Sequence, residues 1–458
     1  MTRTAPPPEG RLAAPRRRRT VLGFVIALLA AAAVVVLYGT GAAGGQSETL
    51  SKFLVVVAVI LVVSHLCGEV MRKIGQPPVL GEIVGGILLG PSALGLLWPG
   101  SSQWAGQDVL HSVDNVAQFG LVVFMFLLGC ELRTGHRGGG RQIGAVIAGG
   151  MGLPFVAGIG LAFAASPLFA GTGASTSHYV LFFGLAIAVT AVPVLARILV
   201  DLKVDRTEVG GLCMASAAIG DGLAWLVLAG LLAGTGKGHP GGLLVTGVLI
   251  ALLVLVAFLG VRPLLARTLD RVKTDQVLTV ILVVGAMLFA GLTQVMYLHP
   301  VIGAFLFGVV VPRGSPRVDR TCKQLQGFTV LILLPLFFAG VGLKTSIGML
   351  GADLWPWLMF AAVVAVAVLS KVAGAAAGAR LAGLNARRSL VVGMLMNCRG
   401  VTELVIAAIG LQAGMINEVC FTILVFMAVV TTATTGFAVR AAKRRGLMDD
   451  KGDAVVAA

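Results

Sequence analysis

Fourteen apolar runs divide this chain, and basic residues gather in every second gap between them. The runs lie near 21–38, 53–71, 79–97, 113–130, 143–166, 179–200, 208–233, 243–261, 276–296, 298–312, 326–345, 356–376, 389–413 and 419–439. Most approach the ~20 residues that a helix rising 1.5 Å per residue needs to cross a ~30 Å hydrocarbon layer. The pattern predicts an all-α polytopic membrane protein. Composition agrees: 57% of 458 residues are hydrophobic and 12% are charged. A soluble protein of this length needs far more polar surface.

The net charge of +15 is a topology signal rather than a nucleic-acid footprint. With the N-terminus inside and the spans alternating, 29 of the 35 Lys and Arg residues fall on the inner side. Only Lys52, Lys237 and Lys344 fall outside. This satisfies the positive-inside rule and places both termini in the cytoplasm of a cell membrane. The remaining cations, Arg197, Lys371 and Arg399, lie within spans. The six cysteines show no paired spacing, so they read as small apolar packers. The chain has no P-loop and implies no cofactor.

Residues 1–20 are rich in Pro and Arg and are expected to be disordered. Segment 21–38 is either an extra N-terminal helix or a signal peptide. The transmembrane domain is expected over 53–440, with a short cytoplasmic tail at 441–458.

Two spans are interrupted. LAIAVTAVPVLARIL places Thr190 and Pro193 in the middle of 179–200. Proline removes a backbone donor and crowds the preceding turn. MLMNCRGVTELVIAAIG places Asn397, Arg399, Gly400, Thr402 and Glu403 in the middle of 389–413. Irregular backbone at membrane depth survives only when buried or lining a wet cavity. The triplets 143–233 and 356–439 each contain one broken span and begin on opposite sides. That is the layout of an inverted repeat around a transport site.

Asp221 lies in SAAIGDGLAWLVLAGLLAG, which carries no other charge. A lone Asp at a helix centre costs roughly 2.5–3.5 kcal/mol on insertion scales, so it marks a functional site. Lys371 is buried in the matching repeat. Glu403 and Arg399 are four residues apart and share a face where the backbone is helical. Glu82 is open to capping, packing or facing a vestibule, and Arg197 to anchoring or lining a cavity. His65 reads as a satisfied core residue. Gly81/Gly85 spacing reads as close helix packing.

GEIVGGILLGPSALG (81–95), GLVVFMFLLGCELR (120–133), AVTAVPVLARIL (188–199), AAIGDGLAWLVLA (217–229), LPLFFAGVGLKT (334–345), SKVAGAAAGA (370–379) and NCRGVTELVIAAIGL (397–411) together resemble the monovalent cation:proton antiporter-2 family. The cation/proton exchanger branch is especially similar. The resemblance covers about 53–440. It implies a 13-helix sodium/proton antiporter-like fold with inverted repeats and two broken crossing helices; segment 21–38 is then an addition. It implies a transporter rather than an enzyme, with a core at 143–233 and 356–439. It also implies a homodimer formed through a scaffold at 53–130 and 276–345. By position, Asp221 would bind the ion and the proton, transiently coordinating a monovalent cation, and Lys371 would be the core lysine that pairs with it. Thr190, Pro193, Asn397, Arg399, Thr402 and Glu403 would lie at the crossing, with Thr190 as a further ligand. Gly220 departs from the pattern, because many members carry Asp, Asn or Gln there.

The expected function is exchange of Na+ or K+ for protons. Burial favours the neutral acid and a neighbouring cation favours the carboxylate, so one acid binds either H+ or the metal ion. Hard alkali cations take oxygen ligands. Two alternatives stay open: a proton-coupled exporter of an organic solute, and an uncoupled cation channel.

Overall fold

The structure is a computed structural model that describes residues 46–131, 139–172, 175–201, 204, 207–233, 242–272, 274–296, 300–312, 315–351 and 353–444. The expectations for 1–20, 21–38 and the tail beyond Arg444 lie outside these residues. Among the described residues every long element is helical, and ten helices are long and apolar enough to cross a membrane. Thr176–Ala188, Pro300–Val310 and Thr402–Gln412 are shorter apolar helices.

In chain order, α1 is Gln46–Lys73, α2 Pro78–Leu89 and α3 Gln107–Glu131. Helix α4 joins Gly140–Ile147 to Leu153–Phe169 through a π turn at Ala148–Gly152. The next span is split into α5a, Thr176–Ala188, and α5b, Val192–Asp201. Helix α6 is Glu208–Ala233, and α7 runs from Gly242–Val256 through a second π turn into Arg262–Arg271. Asp275–Val295 is α8 and Pro300–Val310 is α9. Helix α10 starts at Pro316–Phe328 and ends at Leu334–Leu343 after a third π turn. Leu354–Leu381 is α11, Ala386–Met396 and Val401–Gln412 are α12a and α12b, and Glu418–Arg444 is α13.

The helices pack in two groups. Helices α1, α2, α3, α8, α9 and α10 contact one another, and α4, α5, α6, α11, α12 and α13 contact one another. Cross-links between helix ends fit the alternation read from the basic gaps. Arg317 pairs with Asp275 at 3.1 Å and Arg388 with Glu208 at 3.3 Å. All four residues flank gaps assigned to the basic side. Lys344 pairs with Asp114 at 2.6 Å, and Asn417 donates to the Leu168 carbonyl at 2.7 Å. Those four residues flank gaps assigned to the other side. A span wrongly added or dropped between partners would have put them on opposite faces.

Glycines set the closest crossings. A Cβ on Gly149, in the π turn of α4, would run into the Gly374 carbonyl of α11, and the converse holds for Gly374. Gly81 of α2 meets the backbone of Cys67 in the same way, and Gly85 faces Ser64. The small-residue spacing in α2 therefore does serve close packing. We expect Gly374→Val to lower the yield of folded protein sharply, since overpacking costs ~1–3 kcal/mol and here the clash is with backbone. Gly291→Ala on α8, where a Cβ would meet nothing within 4 Å, is expected to leave yield and thermal stability unchanged. Size-exclusion profiles of the two variants check this.

His65 differs from expectation. It is exposed on α1, with Nδ1 2.8 Å from the Leu61 carbonyl of its own helix. The residues that turn α1 inward are the small ones beside α2, which leaves the imidazole on the outer face. Glu82 is half-buried on α2.

Candidate functional site

The two broken spans cross where both lose their helical backbone. In the first, residues 189–191 are not helical, Val189 is extended, and the Ala191 N–H donates to the Cys398 carbonyl of the second break at 3.0 Å. The Thr190 hydroxyl donates to the Met396 carbonyl at 3.2 Å. Pro193 lies in the first turn of α5b, where a missing N–H leaves no helical bond unmade; its side chain is outside the described residues. In the second break, Gly400 has φ +155° and a Cβ there would crowd Val194. Glycine is needed at that point on both counts.

A split helix leaves carbonyls without partners at one end and N–H groups without partners at the other, each carrying partial charge. The side chains at the crossing match these signs. At the carbonyl end of α5a, Arg399 donates to Ala186 at 3.2 Å and to Ile187 at 2.5 Å. Arg399 also reaches the Ala367 carbonyl of α11 at 3.5 Å. The Lys371 ammonium donates to the Ala188 carbonyl. At the carbonyl end of α12a the donors are neutral. Thr435 donates to the Asn397 carbonyl at 3.2 Å and Thr432 to the Arg399 carbonyl at 2.7 Å. The Asn397 amide in turn donates to the Thr435 hydroxyl at 3.2 Å.

Asp221 faces the opposite ends. The Thr402 hydroxyl, in the first turn of α12b, donates to its Oδ2 at 3.2 Å. The Val192 backbone amide, opening α5b, and the Lys371 ammonium also act on this carboxylate. Asp221 is 1% exposed, and its Oδ1 makes no hydrogen bond. One buried carboxylate thus sits between two N-terminal half-helix ends with an oxygen uncommitted.

Glu403 and Arg399 pair at 3.3 Å, both buried, as their spacing suggested. The pair spans the helix start rather than a full turn, because residues 397–400 are not helical. Lys371 does not pair with Asp221 within 4 Å; its ammonium bonds the Ala188 carbonyl instead, where the partial charge of a helix end attracts it. The crossing thus brings together Asp221, Lys371, Thr190, Asn397, Arg399, Thr402 and Glu403. Sequence reasoning missed Thr432 and Thr435. Their signal was TTATT at 431–435 inside α13, which is ambiguous. Threonine in an apolar helix often bonds its own preceding turn, as Thr431 does to Met427 at 2.7 Å.

Broken helices crossing around buried charges of both signs define a polytopic membrane protein with a sodium/proton antiporter-like fold. The description "Sodium/hydrogen exchanger, transmembrane" matches residues 58–442, and the chain belongs to that family. Cation/H(+) antiporter 20 of Arabidopsis thaliana is 35% identical over 396 residues, covering 82% of this chain and 47% of the relative. The chain therefore spans about half the length of the plant relatives it matches. The Na(+)/H(+) antiporter NhaS4 of Synechocystis sp. is 33% identical over 402 residues, covering 85% of this chain and 96% of the relative. The sodium proton antiporter MjNhaP1 of Methanocaldococcus jannaschii shares the fold, with a TM-score of 0.60 at 16% identity over 86% of this chain and 99% of that one. The family is one of transporters, not an enzyme class.

Proposed function

We propose that this chain exchanges a monovalent cation, Na+ or K+, for protons across the cell membrane, and that Asp221 is the site the two share. The observation that carries the reading is the buried Asp221 carboxylate, with Oδ2 held by Thr402 and Oδ1 uncommitted. A proton or a desolvated cation neutralises that oxygen, and the two exclude each other. The relatives named as cation/H(+) and Na(+)/H(+) antiporters support the same chemistry.

The same reading gives the remaining residues and helices their roles. Lys371 and Arg399 compensate the carbonyl end of α5a, and Glu403 balances Arg399. Thr190 ties one break to the other and offers an oxygen to the cation. The group containing α4–α6 and α11–α13 is the moving core, and α1–α3 with α8–α10 form the scaffold and the homodimer contact. Exchange results when the empty, charged core does not cross while the loaded core does.

Calorimetry on the purified protein tests the reading. Binding of Na+ or K+ in two buffers of different ionisation enthalpy is expected to release a proton for each cation bound. Binding heats that do not depend on the buffer would refute shared occupancy. A coupled organic solute or an open channel would likewise show no proton release by alkali ions.

A further inference from the structure

We propose that helices α1, α2, α3 and α10 frame a phospholipid site on the side away from the basic gaps, a cavity that takes one acyl chain and reads a phosphoethanolamine headgroup through Asp114 and Lys344. None of the crossing residues lines it, and the proposal does not depend on what Asp221 binds.

The cavity has a volume of about 560 Å³ and is bounded by α1, α2, α3, the end of α10 and the connection between α2 and α3. Sites for small molecules typically enclose ~300–1,000 Å³. The wall is mostly aliphatic, with Val55, Val59 and Ile60 from α1 and Leu89, Leu110 and Leu343 from its neighbours. Such a lining suits a methylene chain, which gains from buried area and needs no hydrogen bond. The connection adds Trp98 and Trp104, whose ring centroids are 5.9 Å apart. The Lys52 ammonium lies 5.8 Å from the Trp104 centroid. Tryptophan gathers at headgroup level in membrane proteins. The cavity therefore joins that level to the hydrocarbon layer, as a lipid molecule does.

Among the described residues, the charged side chains in this wall are Asp114 and Lys344, of opposite sign. The Lys344 ammonium donates to Asp114 Oδ2 at 2.6 Å, and both side chains are half-exposed. That bond uses one of three ammonium donors and one of two carboxylate oxygens. Both groups thus keep capacity for a ligand. An anionic headgroup drawn to Lys344 would meet Asp114 beside it, and a cationic one drawn to Asp114 would meet Lys344. A zwitterion satisfies both charges. Its phosphate oxygens accept from Lys344, and its ammonium donates to Asp114. A trimethylated ammonium has no N–H to donate. The same two side chains also line a narrow cleft facing Leu411 and Gln412 of α12b and Phe421 of α13. The headgroup would therefore stand at the seam between the two groups of helices.

The test is native mass spectrometry of the full chain in a non-ionic detergent. The protein is titrated with dioleoyl lipids that differ only in the headgroup: phosphatidylethanolamine, phosphatidylcholine, phosphatidylglycerol and uncharged dioleoylglycerol. The parent is expected to bind one phosphatidylethanolamine about tenfold more tightly than any of the others, the scale of one hydrogen bond to a charged group. Asp114→Asn is expected to remove the advantage over phosphatidylglycerol, because Lys344 then stands without its acid. Lys344→Gln is expected to weaken phosphatidylethanolamine about tenfold and to leave dioleoylglycerol unchanged. Exposed ion pairs contribute little to stability, so both variants are expected to fold. Val59→Phe narrows the cavity and is expected to weaken all four lipids. A parent that retains no lipid, or that binds phosphatidylethanolamine no more tightly than any one of the other three, overturns the proposal. So do unchanged headgroup ratios in both charge variants. Should either charge variant fail to fold, the headgroup order of the parent still decides.

Discussion

Asp221→Asn is expected to reduce cation-driven proton flux in proteoliposomes by at least ~100-fold, equivalent to about 2.7 kcal/mol of lost transition-state stabilisation. The amide keeps the shape of the acid, so Thr402 retains a partner for its hydroxyl. It has no titratable proton at any working pH and no net charge to offer a cation. The substitution also removes a buried charge whose desolvation opposes folding. Thermal stability should therefore hold or rise while transport is lost. That opposition separates a transport role from a structural one. If the Asn variant exchanged at a rate within tenfold of the parent, the carboxylate would be a packing residue and the transport site would lie elsewhere.

The second large effect is expected at Arg399. Its guanidinium donates to Ala186, Ile187, Ala367 and Glu403, and its own carbonyl accepts from Thr432. The residue thereby ties α5a, α11, α12b and α13 at one point. Arg399→Gln strands the buried Glu403 and frees carbonyls at a helix end, and removing one partner of a buried pair typically costs ~3–5 kcal/mol. We expect a loss of that order in chemical unfolding from mixed micelles. The double variant Arg399→Gln/Glu403→Gln should recover roughly half, because it removes the stranded charge but not the lost carbonyl bonds. Equal destabilisation in the single and double variants would show that the pair itself contributes little.

Much of the membrane architecture was legible in one sequence. Apolar runs separated by basic and non-basic gaps gave the spans and their alternation, and the end-to-end contacts Arg317–Asp275 and Lys344–Asp114 fit that order. Thr190 with Pro193, and Asn397 with Arg399, marked both breaks, because polar and helix-breaking residues are rare in lipid unless a partner awaits them. The pairing at the crossing was not legible. Lys371 suggested a partner for Asp221, yet its ammonium bonds the Ala188 carbonyl. That acceptor is a backbone atom, and no side-chain pattern announces it. Thr402 as the hydroxyl on Asp221, and Thr432 and Thr435 as donors to the second break, were hidden for a related reason. Their partners lie far away in the chain.

The sequence by itself determined that this chain enters a membrane as helices, where two of them fail, and which few charges go in with them. Those outcomes depend on local hydropathy and on backbone chemistry, both written residue by residue. Only the tertiary structure decided which charge meets which helix end, and that neutral threonine hydroxyls meet the other break. Such pairings depend on the distance between atoms from separate helices, set by a π turn and by glycine contacts that no single segment specifies.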